Sequence, residues 1–199
     1  MNITNSPNKF ILLFYYFIIV LFYRSMLNLT SPSNIADYLP LLNGAIITDL
    51  IVIGRVVFGL LKSKTLIAWY NLYGLSGILA DVLSLMIGII IAAFIYPFIF
   101  KKFGLLNFII IAVIVQVCHD LLFAAFFKNV RRGSSRILDT FKDYANELGF
   151  KILIADALMI ISTILLATLF TNLSTNANII ILIVSLYLVP YFLYSIPRS

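Results

Sequence analysis

Residues 72–98 read LYGLSGILADVLSLMIGIIIAAFIYPF, a run of 27 residues whose only formal charge is Asp81. As a helix it is about 40 Å long at ~1.5 Å per residue, against roughly 30 Å of bilayer hydrocarbon. Five more apolar stretches can be drawn, over 10–27, 41–61, 105–127, 152–170 and 179–196. The 199 residues are 62% hydrophobic and 11% charged, with a mean hydropathy of +1.08. Soluble domains are about 45–50% apolar and about 25% charged, so a water-soluble globule is excluded, as are a disordered chain, a disulfide scaffold and a coiled coil. Six spans of ~20 residues need about 120 apolar positions, close to what the chain holds. The expected fold is all-α: a polytopic transmembrane helical bundle of about six spans, in a single integral membrane domain over 1–199.

A signal peptide competes with the first span, since Lys9 precedes an apolar region. Arg24-Ser25-Met26-Leu27-Asn28 offers no small-x-small cleavage pattern after it, which favours a retained span. With six spans, one side collects Lys9, Lys62, Lys64, Lys128, Arg131, Arg132, Arg136, Lys142, Lys151 and Arg198, and the other only Arg24, Lys101 and Lys102. The positive-inside tendency then places both termini in the cytoplasm. The sequons at Asn28 and Asn172 fall in the outer loops of this arrangement, although so close to the bilayer that they say little about glycosylation. The net charge of +6 reads as topology and as attraction to anionic headgroups, with Lys128, Arg131, Arg132 and Arg136 as headgroup contacts. No aromatic-interleaved basic motif supports nucleic-acid binding. The lone Cys118 forms no intrachain disulfide.

One stretch outside the spans has a helical signature. In residues 134–150, Ile137, Leu138, Phe141, Tyr144, Ala145 and Leu148 follow helical spacing, with Arg136, Asp139, Lys142, Asp143 and Glu147 on the other face. Ser134 or Ser135 serves as N-cap and Gly149 as the stop. This predicts an interfacial amphipathic helix on the cytoplasmic side, either a connector or a docking surface for a cytoplasmic or virion protein.

Four spans carry one Asp each: Asp49, Asp81, Asp120 and Asp156, and the second span also holds Arg55. A charge at mid-bilayer costs at least ~2.5–3.5 kcal/mol, so such groups face the bundle interior and pair. Helix rise puts Asp81, Asp120, Asp156 and Arg55 in one layer of the cytoplasmic half, with His119 nearby and Asp49 nearer the outer side. One Arg facing three carboxyls leaves at least one of them protonated, as a proton-linked site requires. Interhelical hydrogen bonding is the structural alternative. The pattern A-D-x-L at Ala80 and Ala155 is too short to establish an internal repeat.

Gly77, Ala80, Ser84 and Gly88 form a small-residue stripe that makes the third span the candidate central helix. Pro97 and Pro190 should end or bend their helices, and Trp69, Tyr70 and Tyr73 suit an interfacial aromatic belt. Gly74-Leu75-Ser76-Gly77 has the G-x-S-G form of rhomboid intramembrane serine proteases, with His119 as a potential partner. The other rhomboid signatures are missing, and a packing stripe produces the same string. No catalytic residue is assigned, and no P-loop, dinucleotide fingerprint or His/Cys metal cluster points to a cofactor or metal.

Trp69-Tyr70-Asn71-Leu72-Tyr73-Gly74-Leu75-Ser76, then Ile78-Leu79-Ala80-Asp81-Val82-Leu83, and later Ile137 to Glu147, resemble polytopic membrane proteins encoded by giant nucleocytoplasmic DNA viruses, over residues 46–166. The 32 isoleucines suit an A/T-rich genome. No activity accompanies that resemblance; it implies a host membrane or an internal virion membrane. The first functional reading is therefore a structural or assembly component of a viral or host membrane, possible as a homo-oligomer. The alternative is a small proton- or cation-linked transporter or channel using Asp81, Asp120, Asp156 and Asp49, and a protease-like enzyme is a minor third.

Overall fold

The computed structural model describes residues 35–197, so the expected first span, 10–27, lies outside the described residues. After a short 3-10 turn come α1 (Leu39–Val57), α2 (Lys64–Tyr73), α3 (Leu75–Ile99), α4 (Leu105–Asn129), α5 (Arg136–Leu148), α6 (Lys151–Thr171) and α7 (Thr175–Leu193). Five of these, α1, α3, α4, α6 and α7, are long and apolar enough to cross a membrane. Phe94, Phe98, Leu106, Leu122, Ile180 and Ile183 point outward from them. That outward apolar surface is what lipid accommodates and water does not. The chain is thus an all-α, polytopic integral membrane bundle.

Helices α1, α6, α4 and α3 pack in a ring, each against the next, and α7 lies on the outer side of α1. The core fills with Ile53, Ile89, Phe108, Ile160 and Ile164. The ring tightens where α1 crosses α6: a Cβ on Gly44 would stand 2.8 Å from the Thr163 carbonyl oxygen and 3.0 Å from the Ala167 nitrogen. Gly44 therefore permits backbone-to-backbone approach. This makes α1 the central helix among the described residues. Of its most apolar 18-residue window 67% is buried, against 39% for α3. The expected central role of the third span is corrected accordingly: Gly77 and Gly88 of its stripe are buried, but Ala80 faces outward.

The apolar run at 72–98 is not one helix. Gly74 adopts φ +53° and ψ −128°, a conformation that only glycine takes readily, and splits it into α2 and α3. Trp69, Tyr70 and Tyr73 consequently belong to a separate short helix; Trp69 and Tyr70 turn into the bundle instead of forming an aromatic belt. Pro97 and Pro190 both sit in the last turns of their helices. At the far end of α3, Tyr96 Oη donates to the Lys102 carbonyl at 3.0 Å and accepts from the Gly104 N–H at 2.8 Å, closing the α3–α4 hairpin.

The amphipathic helix forms as α5, from N-cap Ser135 to Gly149 at φ +55°. Its apolar side packs on protein: Phe141 lies 5.1 Å from the Trp69 ring of α2 and 5.1 Å from the Phe123 ring of α4. Together α2 and α5 cover the end of the bundle that carries most of the basic residues, called here the basic end.

Candidate functional site

Trp69 and Tyr70, adjacent on α2, reach two different spans. Tyr70 Oη donates to Asp49 Oδ1 of α1 at 3.0 Å, and Trp69 Nε1 donates to Asp81 Oδ2 of α3 at 3.0 Å. Neighbouring residues on a helix point about 100° apart, so one short helix can serve two carboxyls. Asp49 is 0% exposed and Tyr70 2%. The phenol lies within electrostatic range of both Asp49 and Asp81. Burial first, then those carboxyls, push the Tyr70 hydroxyl well above its ordinary value of 10.0, so it stays a donor.

The other two acids join from α4 and α6. Asp120 Oδ1 accepts from Gln116 Nε2 at 2.7 Å, one helical turn away, and meets His119 Nδ1 at 3.1 Å. Asp156 lies within electrostatic range of Asp120 and Asp81, and accepts no hydrogen bond among the described residues. The four carboxyls thus form one connected set, each from a different helix of the ring. Two oxygens, Asp49 Oδ2 and Asp120 Oδ2, are buried with no hydrogen-bond partner among the described residues.

Arg55 does not balance them. It is exposed, and no ion pair joins it to a carboxyl among the described residues. The expected role as charge partner is corrected by helix geometry: six residues after Asp49 the helix has turned about 240°, so a core-facing Asp49 turns Arg55 away. Asp49, expected apart near the outer side, is instead tied to the layer through Tyr70. His119 is the surface-facing end of the set, its side chain 54% exposed and its ring 5.8 Å from Phe123. No hydrogen bond joins Ser76 to His119 among the described residues, so the two do not form a protease dyad there.

Buried polar groups continue from this layer toward the other end of the bundle. Thr163 Oγ1 of α6 donates to Thr48 Oγ1 of α1 at 3.1 Å. Beyond them Thr168 Oγ1 donates to the Ile164 carbonyl at 2.7 Å, and Asn43 Nδ2 donates to the Asn178 carbonyl at 2.9 Å. From Asp156 to Thr168 the thread follows α6 for about 18 Å at ~1.5 Å per residue.

The four headgroup candidates, Lys128, Arg131, Arg132 and Arg136, are exposed at the basic end. Arg132 pairs with Asp143 at 2.7 Å, and the Arg136 guanidinium lies 5.8 Å from the Tyr73 ring centroid.

Trp69, Tyr70, Gln116, Thr48 and Thr163 were missed as members of the site. An Asp in an apolar run is conspicuous, whereas its donors are residue types that also serve as ordinary packing. The usable signal was that each buried carboxyl needs a donor, and Trp69-Tyr70 lie in the turn of helix that ends at Gly74. No protein-family model matches this chain, and neither does any curated protein or solved structure.

Proposed function

We propose that this chain is a small proton-linked membrane protein whose path runs through Asp120, Asp156, Asp81 and Asp49. The observation that carries the reading is four carboxyls, one per ring helix, gathered with no Lys or Arg paired to them among the described residues and only the His119 imidazole beside Asp120. Four ionised carboxyls in a low-dielectric interior would repel one another strongly, so the set must hold protons or bound cations. Protons fit better than hydrated ions: Tyr70–Asp49, Thr163–Thr48 and Asn43–Asn178 are direct side-chain hydrogen bonds at 3.0–3.1 Å, with no room between partners for a hydrated ion. Tyr70 donates to Asp49 and lies within electrostatic range of Asp81, which links those two carboxyls, and His119 beside Asp120 is the exposed member of the set.

Proton flux into liposomes carrying purified protein tests this, alongside Asp81→Asn and Asp49→Asn. Flux that both variants abolish while still folding supports the path; no flux through well-folded, inserted protein removes it. In that case the second reading stands, a structural or assembly component of a viral or host membrane. Its support is that Tyr70–Asp49 and Trp69–Asp81 tie α2 to two spans, as interhelical fasteners would. A component of that kind should be abundant in purified particles.

A further inference from the structure

The N-terminus of α2 is held by a residue 82 positions away. Glu147 of α5 accepts from the Lys64 N–H at 2.9 Å and the Thr65 N–H at 2.8 Å, and also from the Thr65 hydroxyl. Ser63 Oγ takes the next donor, the Leu66 N–H, at 3.1 Å. The free N–H groups of the first turn are thus filled from both sides, and a carboxylate there also complements the helix dipole. α5 also meets α2 through the Tyr73–Thr140 hydroxyl pair at 3.0 Å, the Trp69–Phe141 ring contact and the Arg136–Tyr73 contact, and meets α4 through Phe123 and Phe141.

The carboxyl layer lies beneath these contacts. Tyr144 of α5 stands within electrostatic range of Asp156 and Asp81, and Trp69, which bonds Asp81, is in tilted ring contact with both Tyr73 and Phe141. The connections on either side of α5 contain Gly133 at φ +88° and Gly149 at φ +55°, and neither has an atom within 4 Å of where a Cβ would stand. The loop before α5 is tied to the helix, the Gly133 N–H donating to Asp139 Oδ2 at 2.8 Å beside the Arg132–Asp143 pair, and so moves with it. The open glycine joint at Gly149 and the exposed hydrogen-bonded clasp along the side of α5 are the construction of a hinged cover.

We infer that α5 is a lid over the Asp81 and Asp156 carboxyls, latched shut by Glu147 on the N-terminus of α2, and that its opening sets when water reaches the layer. This deepens the proton-path reading and rests on it for the gating role, but the lid has a readout of its own. Trp69 is the sole tryptophan of the chain, is 5% exposed, and touches Phe141 of the lid.

The test is acrylamide quenching of Trp69 fluorescence in the full chain in nanodiscs, for the parent and Glu147→Ala, with proton flux measured on the same preparations. Quenching should rise several-fold, the emission should shift to the red, and flux should increase. Lys64→Pro provides a second route: proline suits the first helical position, Ser63 before it is already extended at φ −133°, and only one latch donor is lost. It should give a smaller rise than Glu147→Ala, with Lys64→Ala, which keeps the N–H, at the parent value. Unchanged quenching in folded Glu147→Ala and Lys64→Pro overturns the lid. Raised quenching with unaltered flux, while Asp81→Asn still abolishes flux, overturns the gating role. Absence of flux in every sample defeats the proton path instead, and quenching still decides the lid.

Discussion

Gly44 and Gly54 lie on the same central helix and differ in what a methyl group would strike. At Gly44 the obstacles are backbone atoms of α6, at 2.8 and 3.0 Å; at Gly54 the nearest atom is Phe192 Cε1, a ring edge at 3.2 Å that can rotate away. Gly44→Ala is therefore expected to destabilise the bundle by about 1–3 kcal/mol, the range for overpacking a tight contact, and Gly54→Ala by clearly less. Reversible unfolding in mixed micelles measures both. Tyr70→Phe removes the one hydrogen bond that Asp49 accepts among the described residues and should cost about 1–3 kcal/mol, the usual consequence of orphaning a buried polar group. Adding Asp49→Leu should recover part of that loss, because both partners are then apolar; a double variant less stable than Tyr70→Phe would contradict the pairing. Arg55→Leu, by contrast, should shift stability by no more than about 0.5 kcal/mol, as an exposed position without an ion-pair partner among the described residues does. The acids were legible in the sequence because a charge inside an apolar run has few explanations. Arg55 was misread because depth was inferred from residue counts, whereas partnership also depends on helix rotation.

Rotation and breaks are properties of the element, and here the sequence was legible to different depths. α5 was read closely: its apolar residues at helical spacing, serine start and glycine stop are local signals, all within one stretch of chain. The division between α2 and α3 was not read, because hydropathy runs straight through Gly74 and only the backbone conformation there reveals the turn. The separation matters, since α2 exists as an independent arm that Glu147 can hold. Partial desolvation raises the Glu147 carboxyl, but hydrogen bonds from the Thr65 hydroxyl and from the Thr65 and Lys64 N–H groups outweigh it, leaving the group below its ordinary value of 4.5. A carboxyl depressed by folding contributes its stabilisation in full above the unfolded value and loses it as pH falls through the lower folded value. The clasp should therefore be intact above about pH 4.5 and release on acidification below it. Trp69 quenching followed from pH 7 downward should show a step in that window. Glu147→Ala should lack the step, which assigns it to this carboxyl.

For the whole molecule, the described loops and end helices distribute charge unequally. Lys62, Lys64, Lys128, Arg131, Arg132, Arg136, Lys142 and Lys151 lie at the end covered by α2 and α5, and Lys101 and Lys102 at the other. Short loops this close to the spans are where the positive-inside bias acts, so the covered end should face the cytoplasm. The orientation can be read with an impermeant maleimide once Cys118, which is exposed, is replaced by alanine. A cysteine at Ser134, in the loop before α5, should be modified only from the cytoplasmic side. One at Asn176, exposed in the first turn of α7, should be modified only from the opposite side. The result bears on mechanism as well as topology, because the polar thread has different ends. At the covered end Asp81 and Asp156 lie under a hinged helix, whereas at the other Asn43 and Asn178 are locked together by direct hydrogen bonds. With the expected orientation, the proposed α5 lid lies on the cytoplasmic side. Labelling in the reverse sense would put the lid outside, and the pH dependence of the Glu147 clasp would then report the external medium.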